Sequence, residues 1–280
     1  MHTSPSANAE QTALWNGTAG SAWVDEQKSL DRMFEPIEAM LADLVAPGAR
    51  VLDIGCGTGA TTIAAARRTG PEGRATGIDI SEPMLALARE RAARAGVAAQ
   101  FLCADAQTAE LQPASHDLLI SRFGVMFFGD PVAAFANLLR ATRAGGELGL
   151  FVFRSIAENP FMTTAERAAA PFLPDLPPRN ADAPGQFAFA DRDRVSKILG
   201  SAGWRDVDIR AVDVSCGFPR AELDRYVTRL GPVGLILQKA PDDLRERVMD
   251  SVRTAFEPFV AGGEIRFTAA CWRIAARAGG

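Results

Sequence analysis

The chain has 280 residues, 48% of them apolar, with a net charge of −4 and a pI near 5.4. That length allows one large domain without requiring two. The acidic balance, with no run of five Lys or Arg, argues against a nucleic-acid partner, and no stretch reaches the ~18 uninterrupted apolar residues of a membrane span. The polar start, Met1 to Thr12, lacks the basic and apolar parts of a signal peptide, so the expected location is cytoplasmic. Cys56, Cys103, Cys216 and Cys271 are far apart and form no C-x-x-C pair, and they read as buried reduced thiols. With two histidines, one of them His2 in the tail, no metal set is expected.

In chain order, residues 1–12 read as unordered. Helices are expected over Ala22–Leu30 and Arg32–Val45, the second carrying Met33, Ile37, Met40, Leu41, Leu44 and Val45 at helical spacing. Pro47-Gly48 ends it. A regular alternation follows. Strands are expected at Arg50–Ile54, Arg74–Ile80, Gln100–Ala104, His116–Ser121 and Glu147–Phe153. Helices are expected at Ala60–Arg68, Glu82–Ala95 and Pro131–Thr142, with a weak helical signal near Ala109. Such alternation predicts an α/β, doubly wound parallel sheet whose strand carboxyl ends share one edge. Residues 154–190 hold six prolines (160, 171, 174, 177, 178 and 184) and read as an irregular insertion with one helix near Phe161–Ala170. Asp191 caps a helix to Ala202, and Asp206–Ser215 reads as a strand. Helices over Arg220–Gln238, broken at Gly231-Pro232, and over Asp242–Phe259 precede a last strand, Glu264–Ala275.

The most informative stretch is Val51-Leu52-Asp53-Ile54-Gly55-Cys56-Gly57-Thr58-Gly59. An apolar strand runs into alternating glycines and then a helix, the entry to a nucleoside-type cofactor site. The glycines alone are compatible with S-adenosylmethionine or with NAD or FAD, since Gly55-x-Gly57-x-x-Ala60 satisfies the dinucleotide fingerprint too. Asp79 ends the next strand, where a carboxylate accepts both ribose hydroxyls. Ser81 fits as the cap of the following helix.

These landmarks, with Asp105-Ala106 after the third strand, the segment Asp117 to Phe128 after the fourth, and Gly145-Gly146 before the fifth, resemble the class I S-adenosylmethionine-dependent methyltransferases over about residues 45–155. The likeness is nearest to the ubiquinone/menaquinone-type small-molecule branch. It implies a Rossmann-like seven-stranded sheet of order 3-2-1-4-5-7-6, strand 7 antiparallel, with helical cap insertions at about 154–190 and 217–260. Residues 1–46 would form a helical lid with Trp15 and Trp23, and residues 47–280 the methyltransferase domain. The implied cofactor contacts are Asp53, Gly55, Gly57, Thr58, Gly59, Asp79, Ile80, Met84, Asp105, Ala106, Arg122 and Trp23, with Asp105 and Ala106 at the adenine. The product would be S-adenosylhomocysteine.

Phenylalanines crowd the irregular segments. Phe123, Phe127, Phe153, Phe187 and Phe189 are the substrate-side candidates and suggest a small apolar or aromatic acceptor. Ser121-Arg122-Phe123-Gly124 is not the Asn/Asp-Pro-Pro-Tyr/Phe of enzymes that methylate base amines. No catalytic base is legible. His116 starts its strand, at the edge away from the cofactor, and Tyr226 reads as packing with its hydroxyl at the surface. An NAD-dependent oxidoreductase and a non-methylating protein of this fold remain the alternatives.

Overall fold

The computed structural model describes residues 8–176 and 183–279. His2, Pro177, Pro178 and the first part of the expected unordered tail lie outside the described residues. Three helices lead: α1 (Ala9–Asn16), α2 (Thr18–Asp25) and α3 (Gln27–Ala42). The alternation then runs β1 (Arg50–Ile54), α4 (Ala60–Thr69), β2 (Arg74–Asp79), α5 (Glu82–Ala95), β3 (Ala99–Cys103), β4 (His116–Arg122), α6 (Pro131–Ala141) and β5 (Thr142–Phe153). After it come α7 (Phe161–Ala169), α8 (Arg192–Ser201), β6 (Arg205–Pro219), α9 (Leu223–Arg229), α10 (Gly231–Leu237), α11 (Asp242–Phe256), β7 (Val260–Ala261) and β8 (Glu264–Arg277).

The sheet order is β3-β2-β1-β4-β5-β8-β6, with β7 paired to β8. Strands β1 to β5 are mutually parallel, and β8 runs antiparallel to both β5 and β6. The last long strand thus inserts where the expected strand 7 stood. The two-residue β7 adds an eighth strand that carries no sequence signal. Val51, Leu52 and Ile54 of β1 and Leu118, Leu119 and Ile120 of β4 are buried, as the centre of a parallel sheet covered on both faces requires.

Local chemistry explains most boundaries. Asp191 caps α8, accepting from the amides of Asp193 and Arg194. Gly96, with φ of 65°, ends α5 in the left-handed conformation that glycine adopts without strain. Four expectations need correction. Residues 9–12 are helical, the start of α1. The expected Ala22–Leu30 helix is broken at Glu26 into α2 and α3. Ala109 is not helical, because buried Asn137 of α6 takes the Ala106 and Ala109 carbonyls at 2.9 and 3.0 Å. Cys103 is exposed, since β3 is an edge strand, while the other three thiols are buried.

Asp53 sits under the turn from β1 to α4. Its Oδ2 accepts from the hydroxyls of Thr61 and Thr62, the latter at 2.6 Å, which pins the first turn of α4 to β1. Its Oδ1 has no partner among the described residues. Burial, opposed by the two hydroxyls, pushes this carboxyl from 3.8 up to about 6. A raised pKa means that the folded chain holds the proton more tightly. The contribution to stability is therefore complete below 3.8 and lost as pH rises through about 6. The loss is at most about 3 kcal/mol. Asp53→Asn should flatten the fall in Tm between pH 4 and 6.5 measured by scanning calorimetry; an unchanged slope would assign that fall to other groups.

Candidate functional site

A cavity of about 510 Å³ opens at the carboxyl edge of the sheet. Ile54, Ile78 and Arg122 mark the strand ends, and the order reverses there, since β2 lies on one side of β1 and β4 on the other. This is the crevice where ligands of doubly wound folds bind. Gly55, Gly57, Thr58, Asp79, Ile80, Met84, Asp105, Ala106, Arg122 and Trp23 all line it, as do Phe123, Phe127 and Phe153.

The polar half is built on backbone. The Asp79 carboxylate accepts from the Gly57 amide at 2.8 Å and the Ser81 amide at 2.9 Å, one per oxygen. A carboxylate has about four lone-pair sites, so two remain for donors in the cavity. Burial pushes the Asp79 pKa up, while the amides of Ser81 and Gly57 pull it down. Gly57 has φ of 56°, and a Cβ there would stand 2.8 Å from Met84 Cε. Met84 thus packs against this glycine, and a side chain at position 57 would have to displace it. Asp105 accepts from the Gln107 amide at 2.9 Å and from Asn8 Nδ2 at 3.0 Å. Asn8 Oδ1 is buried without a partner among the described residues, and Asn8 and Asp105 both line the cavity. Asn8 lies in the stretch expected to be unordered, and no motif marks it.

The other half is aromatic. Phe123, at φ of 67°, stacks on Phe153 with centroids 4.1 Å apart and planes 10° apart, and Phe34 of α3 meets Phe123 edge-on at 5.1 Å. Phe161, Met162, Ala165 and Glu166 of α7, Tyr226 of α9, the start of α10 and Phe256 of α11 complete this wall. Helical insertions with no sequence signature bring these residues in, so periodicity alone does not reveal them. Tyr226 is partly buried and lines the cavity, with its ring packed 5.0 Å from Phe218.

Four expected contacts fall outside the cavity wall. Asp53 lies beneath the loop as the pin of α4. Gly59 faces α5 and β3, where a Cβ would stand 2.8 Å from the Ala88 Cβ and 3.1 Å from the Phe101 ring. Phe187 and Phe189 are core residues, packed against Phe153 and Phe135. Their alternation turns both rings inward, under the cavity floor. Replacing Phe189 by Ala should therefore destabilise the fold by about 3–5 kcal/mol, read by denaturant melting.

Helices α1 to α3 cover the cavity and are tied down at two ends. At one end Ser81 Oγ donates to the Trp15 carbonyl at 2.6 Å rather than capping α5, and Asn16 accepts from the Glu82 amide at 3.1 Å and donates to the Ile80 carbonyl at 2.8 Å. At the other, Arg225 of α9 binds buried Glu26 at 2.6 Å, and Ser29 donates to Glu222 at 2.5 Å. Trp15 meets Trp23 at 5.9 Å and Phe127 at 5.1 Å, both edge-on. Below them Asp31 accepts from Gln27 and Arg91, while Arg91 donates to the Thr58 carbonyl of the glycine loop at 2.6 Å. Burial raises the pKa of nearby Glu38, and Arg122 opposes that rise. Asn16→Ala removes the two neutral hydrogen bonds to the turn after β2, worth about 1 kcal/mol each, besides a local one to the Thr12 carbonyl, so amide exchange across α1 and α2 should quicken at least roughly thirtyfold while the sheet keeps its protection. Unchanged exchange would mean that the Arg225 end alone holds the cover.

The glycine loop and its flanking acids match the methyltransferase domain family over residues 51–146. The nocamycin O-methyltransferase of Saccharothrix syringae is 30% identical over 246 residues, covering 84% of this chain and 88% of its own length. The aklanonic acid methyltransferase DauC of a Streptomyces species is 36% identical over 154 residues, 52% of this chain and 70% of that protein. Among solved structures, an S-adenosylmethionine-dependent methyltransferase from Aquifex aeolicus superposes with a TM-score of 0.55 at 16% identity, over 92% of this chain and 97% of its own. The similarity of sequence extends well beyond the glycine loop, and it favours this chemistry over the nicotinamide alternative. With a cavity that offers both a polar half and an aromatic half, the chain belongs to the class I S-adenosylmethionine-dependent methyltransferases.

Proposed function

We propose that the chain methylates a small apolar or aromatic molecule held under α7, α9 and α10, with S-adenosylmethionine along the loop after β1. The observation that carries this reading is the division of one cavity into a polar half at the strand ends and an aromatic half under the helices. When bound, the cofactor supplies an electrophilic methyl group on a sulfonium that leaves as a neutral thioether.

On this reading Gly55, Gly57 and Thr58 keep the loop close to the cofactor, and the amino end of α4 faces its carboxylate. Asp79 takes the ribose hydroxyls on the lone pairs that Gly57 and Ser81 leave. Asp105, with Asn8 Oδ1, accepts from the adenine amine, and Ala106, Ile80 and Met84 flank the ring. Trp15, Trp23 and the rest of α1 to α3 act as a lid that excludes water. Phe34, Phe123, Phe127, Phe153 and Phe161 fix the acceptor plane. Orientation of nucleophile, methyl and sulfur is the main source of rate, worth up to about 7–11 kcal/mol. Relatives that methylate nocamycin and aklanonic acid support a small-molecule acceptor.

Calorimetry with S-adenosylhomocysteine tests the cofactor half. Asp79→Ala should weaken binding roughly tenfold to a hundredfold, about 1.5–3 kcal/mol for a charge-assisted bond, without lowering Tm by more than a few degrees. Gly57→Val should abolish it, because a branched side chain at that φ strains the loop and collides with Met84 of the cavity wall. Undiminished affinity in either variant would remove that residue from the cofactor site. Mass spectrometry of products, after incubation with S-adenosylmethionine and a panel of small apolar and aromatic acceptors, tests the acceptor half.

A further inference from the structure

Four buried side-chain polar atoms lack a hydrogen-bond partner among the described residues: Asn8 Oδ1, Asp53 Oδ1, Arg122 Nη1 and Arg154 Nε. Only Asn8 and Arg122 of these line the cavity. The Asn8 oxygen is an acceptor and suits an amine. The Arg122 nitrogen is a donor and calls for a ligand of opposite character.

The Arg122 side chain is only 12% exposed. Its nearest carboxylates, Asp31 at 3.9 Å from Nη2 and Glu38 at 4.0 Å from Nη1, balance its charge from beyond hydrogen-bond reach. The guanidinium lies 5.9 Å from the centroid of Phe34, and the next residue, Phe123, stacks on Phe153. Arg122 therefore stands between the two acids of α3 and the aromatic wall that the acceptor would lie against. A buried donor without an acceptor is costly, and a charged one more so, unless a ligand completes it.

We propose that Arg122 binds an anionic oxygen of the acceptor, so that the site takes planar acceptors bearing a carboxylate, enolate or phenolate. This rests on the reading of the cavity as a methyltransferase site with the acceptor under the helices. The acceptor oxygen's lone pair forms the new O–C bond while the C–S pair returns to sulfur. Negative acceptor and positive sulfonium become two neutral products, and no proton has to leave. A base is then unnecessary, in keeping with a cavity that no histidine lines among the described residues. The sequence reading assigned Arg122 to the cofactor, which carries a carboxylate of its own, so the test separates the two anions.

Wild-type protein saturated with S-adenosylhomocysteine is titrated calorimetrically with 2-naphthoate and with 2-naphthamide, which share a ring system and differ in charge. Naphthoate should bind at least about tenfold more tightly, as a charge-assisted bond to arginine requires. Arg122→Gln should erase that preference and leave S-adenosylhomocysteine affinity within about threefold of wild type. Arg122→Lys, which keeps a cation beside Asp31 and Glu38, should retain part of the preference. With the wild-type comparison it decides the matter if Arg122→Gln does not fold. Equal binding of the two probes, or no binding of naphthoate, overturns the inference. So does a loss that appears in S-adenosylhomocysteine affinity instead, which would give the donor to the cofactor's carboxylate. Failure of wild type to bind S-adenosylhomocysteine is a separate result and would overturn the cofactor reading on which the inference rests.

Discussion

Two stretches of backbone meet without side chains at the head of the cavity, and much of the site depends on that contact. A Cβ on Gly55 would stand 2.6 Å from the Gly124 Cα, and a Cβ on Gly124 would stand 2.5 Å from the Ile54 carbonyl oxygen. The turn after β1 and the turn after β4 can therefore lie one backbone apart. Ser121 reinforces the junction by donating to the Ile54 carbonyl at 2.7 Å and accepting from the Gly124 amide at 3.1 Å. With the two turns this close, the strand order opens a single crevice there. The glycine loop forms one wall and the Phe123 turn the other.

Charge then couples the cover to the crevice. Asp31 of α3 holds Arg91 of α5, and Arg91 holds the Thr58 carbonyl, so α3 and the glycine loop share one hydrogen-bonded chain. Arg122 faces the same acid from the end of β4. Ion pairs of this kind are specific in geometry more than they are stabilising, because desolvation offsets much of the Coulomb gain. Their effect here is positional. They fix α3 over the crevice so that Phe34 reaches the Phe123 and Phe153 pair. Breaking one partner would leave a half-buried charge exposed to an apolar surround, which is why the network acts as a unit.

The helical part divides the labour differently from the sheet. Helices α7, α9, α10 and α11 enclose the aromatic half around Phe161, whose ring stacks on Phe267 at 3.7 Å and meets Phe256 edge-on at 5.5 Å. These rings join the cavity wall to the body of β8, so the aromatic half is continuous with the core. Aromatic pairs of this geometry contribute beyond their buried area. They also present a rigid surface at low entropic cost, which suits recognition of a flat apolar molecule.

The sequence by itself determined the sheet and its ligand edge. The apolar runs at Val51–Ile54 and Leu118–Ile120, the alternating glycines, and acids at the ends of successive strands are local patterns with periods of two and 3.6, so they are legible without a structure. Asp79 and Asp105 reach the cavity for that reason. Tertiary structure decided which of two neighbouring groups faces a ligand and which faces the core. Asp53 and Gly59 belong to the same motif as Gly55 and Gly57, yet they turn away to hold α4 and to admit α5. Phe187 and Phe189 fill the core, while Phe34, Phe161 and Tyr226, in segments without a motif, line the aromatic half of the cavity. That half depends on contacts between residues far apart in the chain, such as Phe161 with Phe267 and Glu26 with Arg225, and no local spacing encodes such contacts. Only the packing of the whole molecule brings them together.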